Sequence, residues 1–271
     1  MSEFEDYIRN RFEGVSKITD DDAMPMDFWY SAVEQSKTHE NGAAGVINAR
    51  ICKAIPVEFR APEKVSIEVF DSFAGEIPVI SAGDPGDFED LVTNLVHKGV
   101  RSENISKTGA SFIYGKSVRF IILSSKPYSN VTAGEVGLDE ETWAEKSMLI
   151  RRSHECTHYY TKRNYGITCN ILHDELMADF IGLYDAFGFY KSEWFLRFLG
   201  IIEGSGKRLD VYTEGLSPET ADAVKSIAVK ASGALEKWSL TGDFERMTNA
   251  ERIDEMCRAG LAGIAGWEDR L

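Results

Sequence analysis

Two histidines four positions apart, His154 and His158, constrain this chain more than any other feature. On an α-helix, residues four apart lie one turn from each other on the same face. Both rings can then reach one metal ion, and two nitrogens begin a tetrahedral zinc site. A glutamate directly after the first histidine can point at water on that ion and take its proton. His154-Glu155-Cys156-Thr157-His158 is therefore an H-E-x-x-H arrangement, and it makes sense only on a helix. A second cluster, His173-Asp174-Glu175-Leu176-Met177-Ala178-Asp179, follows after a short loop and offers further ligands.

The flanking residues extend this helix. Asp139-Glu140-Glu141 supplies the acidic start that a helix N-terminus favours. Trp143, Met148, Leu149 and Ile150 carry the helix on to about Lys162, with the histidine pair in its second half; Gly166 ends the loop after it. A second helix is predicted from about Ile171 to Phe187, stopping at Gly188. Three more are predicted over 191–203, 217–239 and 248–265.

The N-terminal half reads differently. Residues 1–54 are predicted mostly helical, with Pro25 near a helix start and an apolar group at Phe28, Trp29, Ala32 and Val33. Strands are predicted over 55–83, where Val65, Ile67 and Val69 alternate with polar neighbours. Ile77-Pro78-Val79-Ile80 is a second run, closed by Ala82-Gly83-Asp84-Pro85-Gly86. Phe88, Leu91, Val92, Leu95 and Val96 form a helical stripe over about 87–98. Residues 111–124 read as a hairpin about a turn at Gly115-Lys116. Strands first and helices last indicate an α+β fold: a small mixed or antiparallel sheet in the N-terminal half and a mostly helical C-terminal half. One unit spanning 1–271 is expected, with an α+β lobe over about 1–165 and a helical lobe over about 166–271.

Composition narrows the partners. The chain has 271 residues, 44 acidic against 30 basic, and a net charge of −14. No strongly basic run is present, which argues against nucleic acid and anionic membranes as partners. Cys52, Cys156, Cys169 and Cys257 are scattered without a C-x-x-C pair. With a charged start, Met1-Ser2-Glu3-Phe4-Glu5-Asp6, and no apolar leader, this points to reduced thiols and a cytoplasmic protein.

His154-Glu155-Cys156-Thr157-His158, followed by Glu175-Leu176-Met177-Ala178-Asp179, resembles the zincin superfamily of metallopeptidases, specifically its gluzincin branch. The wider segment from Arg152 to Gly166 and from Leu172 to Asp179 is also similar to a group of uncharacterised bacterial proteins with an H-E-x-x-H core. The resemblance implies a zincin-like fold around an active-site helix. It implies zinc held by His154, His158 and Glu175, with a fourth position left for water, and Glu155 as the general base. Asp179 would accept a hydrogen bond from the other nitrogen of His154 and fix that ring. Strand 118–124 would match the edge strand that pairs with an extended substrate.

The chain departs from that pattern in three places. Arg151 and Arg152 precede the motif where apolar residues are usual, so the helix is expected to be more exposed. No histidine follows His173, so a tyrosine would have to stabilise an oxyanion, with Tyr184, Tyr190 and Tyr212 as candidates. His173 lies two residues from Glu175, about 200° around a helix, and should not share its ion. His173 is expected as a helix-cap or cleft residue, Cys156 as a small core residue, and Tyr159 and Tyr160 as packing. The expected activity is that of a zinc-dependent hydrolase, a metallopeptidase acting on a peptide or protein. The alternative is a zinc-binding protein without peptidase activity, its site serving structure or interaction.

Overall fold

The alternation at Val65, Ile67 and Val69 places Val65 and Ile67 in the core and leaves Ser66 and Glu68 in water, as one wet strand face requires. The structure, a computed structural model, describes residues 1–18, 24–115, 118–169 and 171–267. In chain order, α1 (Glu3–Tyr7), α2 (Asp27–Ser36) and α3 (Gly42–Arg50) come first. They are followed by β1 (Val65–Ser72), β2 (Gly75–Ala82), α4 (Pro85–Leu95), β3 (Ala110–Tyr114) and β4 (Arg119–Ser124). The helical part comprises α5 (Ala133–Val136), α6 (Glu140–Tyr165), α7 (Leu172–Phe187), α8 (Ser192–Leu199) and α9 (Leu209–Tyr212). α10 (Pro218–Trp238), α11 (Gly242–Arg246) and α12 (Asn249–Ala265) complete it. The fold is α+β, with a four-stranded mixed sheet in the N-terminal half and a mostly helical C-terminal half.

The chain divides into two units, one made of Met1–Thr19 with Pro127–Leu271 and the other of Asp20–Lys126. This differs from a lobe boundary near residue 165. α6 packs along α7, so the helix that carries the histidine pair belongs with the helices that follow it.

In the Asp20–Lys126 unit the sheet order is β1-β2-β4-β3. β1 and β2 form an antiparallel hairpin that turns at Gly75, where φ is 99°. β3 and β4 are antiparallel as expected, and Gly115 N donates to Val118 O at 2.8 Å. The expected turn residue Lys116 lies outside the described residues. β2 and β4 run parallel, Val79 opposite Ile121, which requires a crossover, and α4 lies within it. Asp84 caps α4 by accepting from Gly86 N and Asp87 N, and Pro85 opens its first turn. Trp29, Ile47, Ile80, Phe88, Leu91 and Ile122 are part of one apolar core. The edge-strand expectation for 118–124 is corrected here. β4 is interior, paired on both sides and buried at every position from Arg119 to Ser124, so it has no free backbone edge for an extended substrate.

In the other unit Asp139 caps α6 by accepting from Thr142 N at 2.8 Å, with Glu140 and Glu141 in the first turn. Gly166 ends α6 and Gly188 ends α7, both in the left-handed conformation. Every residue from Leu172 to Leu183 is buried, so α7 is the central helix of this unit. Among the described residues no helix is long and apolar enough to cross a membrane.

Candidate metal centre

The close approach of α6 and α7 builds the site. A Cβ added at Gly182 would meet Ile150 O at 2.7 Å, so only glycine lets the two backbones come this near. Ile150 lies one turn before His154, and Gly182 lies on the face of α7 that carries Glu175 and Asp179. Helical spacing then brings together side chains that the two short motifs separate.

His154, His158 and Glu175 converge, each less than a tenth exposed, and one ligand atom from each lies within 4.8 Å of the others. The two Nε2 atoms are 3.0 Å apart. Glu175 Oε2 lies 3.6 Å from His154 Nε2, and Oε1 lies 3.5 Å from His158 Nε2. Ligand atoms at the corners of a tetrahedron around zinc, bonded at about 2.0–2.1 Å, are about 3.3–3.4 Å apart. The three observed separations, the two to Glu175 taken from different oxygens, bracket that size. Nitrogen and carboxylate donors are also the chemistry that zinc accepts.

Asp179 is fully buried behind His154, its Oδ1 2.8 Å from Nδ1. An Nδ1–H that donates to Asp179 leaves the Nε2 lone pair facing the triangle; this tautomer follows from the hydrogen-bond network. Burial disfavours charge on His154, but the hydrogen bond to Asp179 and the Glu175 carboxylate outweigh it and raise its pKa. His158 is lowered to about 4 by burial and by the neighbouring His154, so it is a neutral donor. Burial opposes ionisation of Glu175 and Asp179 as well. His154 and Arg208 reverse this for Glu175, and Arg208 and His154 bring Asp179 down to about 2. Glu155, half-buried beside His154, is raised above the usual carboxylate range by burial.

The chain belongs to a family of unknown function, DUF7005, whose profile matches residues 30–119 and 117–268. The candidate site lies within the second matched segment. Neither a curated protein nor a solved structure matches the chain.

Three further residues complete the site and are silent in the motif. Tyr128, buried in a 3₁₀ turn at Tyr128–Asn130, donates its hydroxyl to Asp179 Oδ1 at 2.5 Å and faces His154 Nδ1 at 2.9 Å. Arg208 donates to Glu175 Oε2 at 2.5 Å and to Asp179 Oδ2 at 2.8 Å. Arg151 donates to Pro127 O at 2.9 Å and lies over the Tyr128 ring. The expectation of an exposed helix before the motif is therefore corrected: Arg151 is buried because a carbonyl and an aromatic face receive its guanidinium.

Of the three tyrosine candidates only Tyr212 reaches the site, donating to Glu175 Oε2 at 2.9 Å. Tyr190 is buried with its hydroxyl unpartnered among the described residues, and Tyr184 packs against Phe244. His173 is neither a cap nor a cleft residue. It is buried with Nε2 3.1 Å from Met256 O, burial lowers its pKa to about 4, and Ile171 begins the helix without a side-chain cap. Cys156, Tyr159 and Tyr160 are core residues.

Proposed function

We propose that this chain is a zinc-dependent hydrolase, a peptidase of the gluzincin kind acting on a peptide or protein. The observation that carries the reading is the buried His154–His158–Glu175 triangle with Asp179 behind its first histidine. Bound zinc supplies a Lewis acid for the scissile carbonyl and lowers the pKa of its water. The chain's own residues do the rest. His154 and His158 offer their Nε2 atoms, and Asp179 with Tyr128 fixes the His154 ring. Glu155 accepts the proton that the attacking water loses as its oxygen bonds to the carbonyl carbon. It returns that proton to the nitrogen that leaves when the C–N bond breaks. A carboxylate raised by burial suits both roles, since its pKa moves toward the working pH.

The test is metal analysis of the purified chain, with hydrolysis of a mixed peptide library before and after chelation. Glu155→Gln should retain the parent's zinc and lose about 10²–10⁴ of the hydrolytic rate. Equal turnover in the two proteins would remove Glu155 from the mechanism. One observation favours a second reading, a zinc-binding protein without turnover: Glu175 is already ion-paired to Arg208. On that reading chelation lowers thermal stability and no peptide in the library is cut.

A further inference from the structure

We propose that Arg208 and Tyr212 are positioning residues that present Glu175 to the metal through one oxygen, Oε1. The inference rests on the reading of His154, His158 and Glu175 as a metal site.

The two oxygens of Glu175 have different surroundings. Oε2 accepts from Arg208 Nη2 at 2.5 Å and from Tyr212 OH at 2.9 Å. Oε1 lies 3.5 Å from His158 Nε2, and Oε2 lies 3.6 Å from His154 Nε2. Two donors, one of them charged, therefore hold Oε2 and leave Oε1 directed at His158. The same guanidinium reaches the second carboxylate: Nη1 donates to Asp179 Oδ2 at 2.8 Å and Oδ1 at 3.1 Å. Nε donates to the Tyr212 hydroxyl at 2.9 Å, which orients the tyrosine toward Glu175. One planar fork thus fixes the proposed ligand, the carboxylate behind His154 and the second donor. A lysine, with one charged nitrogen, could not span all three.

Arg208 is itself held in place. The segment between α8 and α9 turns back on α8 so closely that a Cβ at Gly200 would collide with Gly206 O, and one at Gly206 with Arg197 O. Glu135 anchors the middle of this strap by accepting from Ser205 N at 2.7 Å and from Ser205 Oγ at 2.9 Å. Tyr212 follows Arg208 by one turn through α9. None of these contacts depends on an ion, so the carboxylate is oriented in advance, as a tight site requires.

The test uses the full chain stripped of metal and titrated with Zn²⁺ and, separately, with Co²⁺. Arg208→Gln should weaken zinc binding by about 10–100-fold, the loss typical when a group that orients a ligand is removed. With Oε2 released, Glu175 can bind through both oxygens. The visible Co²⁺ bands should then weaken and shift toward a higher coordination number. Arg208→Lys should recover part of the affinity through charge alone without restoring the parent spectrum. Tyr212→Phe removes one hydroxyl and tests the same point if Arg208→Gln does not fold; it should shift the Co²⁺ bands in the same direction by less. A general loosening of the fold would lower affinity in these variants without changing the number of oxygens on the ion. Parent-like zinc affinity and Co²⁺ spectra in the folded variants overturn the inference while leaving the metal reading intact. A parent chain that binds neither ion overturns both.

Discussion

The sheet of the Asp20–Lys126 unit and the α6–α7 pair bury their interiors in opposite ways. Between the strands and α4 the core is apolar: Ile80, Phe88, Leu91 and Ile122 are shielded from water, and Asp87 accepts from two backbone amides, Arg60 N and Ala61 N. Between α6 and α7 the interior holds two histidines, two carboxylates and, beside them, a guanidinium. Buried charge costs solvation even when paired, and well-packed apolar groups often stabilise as well or better. The sheet core is therefore what stability alone would select, whereas the helix pair buries charge that stability alone would not. Local departure from folding logic is where function is expected.

Phe88 gives the largest way to break this contrast. Phe88→Ala removes a fully buried ring and should cost about 3–5 kcal/mol of unfolding free energy, read by urea denaturation. On the proposed metal reading, the folded fraction should take up zinc as the parent does. A variant that stays folded yet loses zinc would show that the two interiors are not separate in role.

Much of the helix pair was legible because its signals are local. Asp139 with Glu140 and Glu141 marks the start of α6, Gly166 and Gly188 mark the helix ends, and a spacing of four residues sets His154 on His158 and Glu175 on Asp179. Tyr128 and Arg208 carry no such signal. They come from segments outside both helices, and an arginine after Gly206 and Lys207 reads as a solvated loop residue. Arg151 misled for a related reason: arginine is rarely buried, and the carbonyl of Pro127 that receives it cannot be inferred from spacing. In the sheet, alternation identified the strands but not their neighbours. Placing β4 between β2 and β3 depends on a crossover whose partner no pattern in residues 118–124 names.

Gly182 sharpens the contrast at intermediate size. In a helical pattern its glycine reads as a weak point, but the structure makes it the contact that sets the spacing of α6 and α7. Gly182→Ala forces a Cβ against the Ile150 carbonyl, and overpacking of this kind costs about 1–3 kcal/mol. The effect should fall on both properties, because moving α7 moves Glu175 and Asp179 away from the histidines. Thermal denaturation should show the destabilisation and zinc titration a weakened affinity. Parent-like zinc affinity in a destabilised Gly182→Ala protein would mean that the helix spacing does not set the ligand triangle.

The smallest expected effect comes from Glu135, a half-buried residue of α5 that anchors the strap carrying Arg208. Its carboxylate accepts from Thr132 N at 2.7 Å, closing the cap of α5, and from Ser205 N at 2.7 Å. The Thr132 amide, helped by the Thr132 hydroxyl and by Ser205, lowers its pKa from 4.5 to about 2. A carboxylate whose folded pKa lies below its unfolded value stabilises the fold above the unfolded pKa, and that contribution fades as pH falls toward the folded one. The window here runs from about 4.5 down to about 2. Because the group lies near the surface, screening keeps the contribution small. Urea midpoints measured across that window should fall less steeply for Glu135→Gln than for the parent, while at pH 7 the variant should be slightly less stable. Arg208 should remain near Glu175 in the variant, since Gly200 and Gly206 still hold the strap on α8, so zinc affinity should drop far less than in Arg208→Gln. Identical acid slopes for the two proteins would show that the Thr132 and Ser205 contacts do not stabilise the folded state.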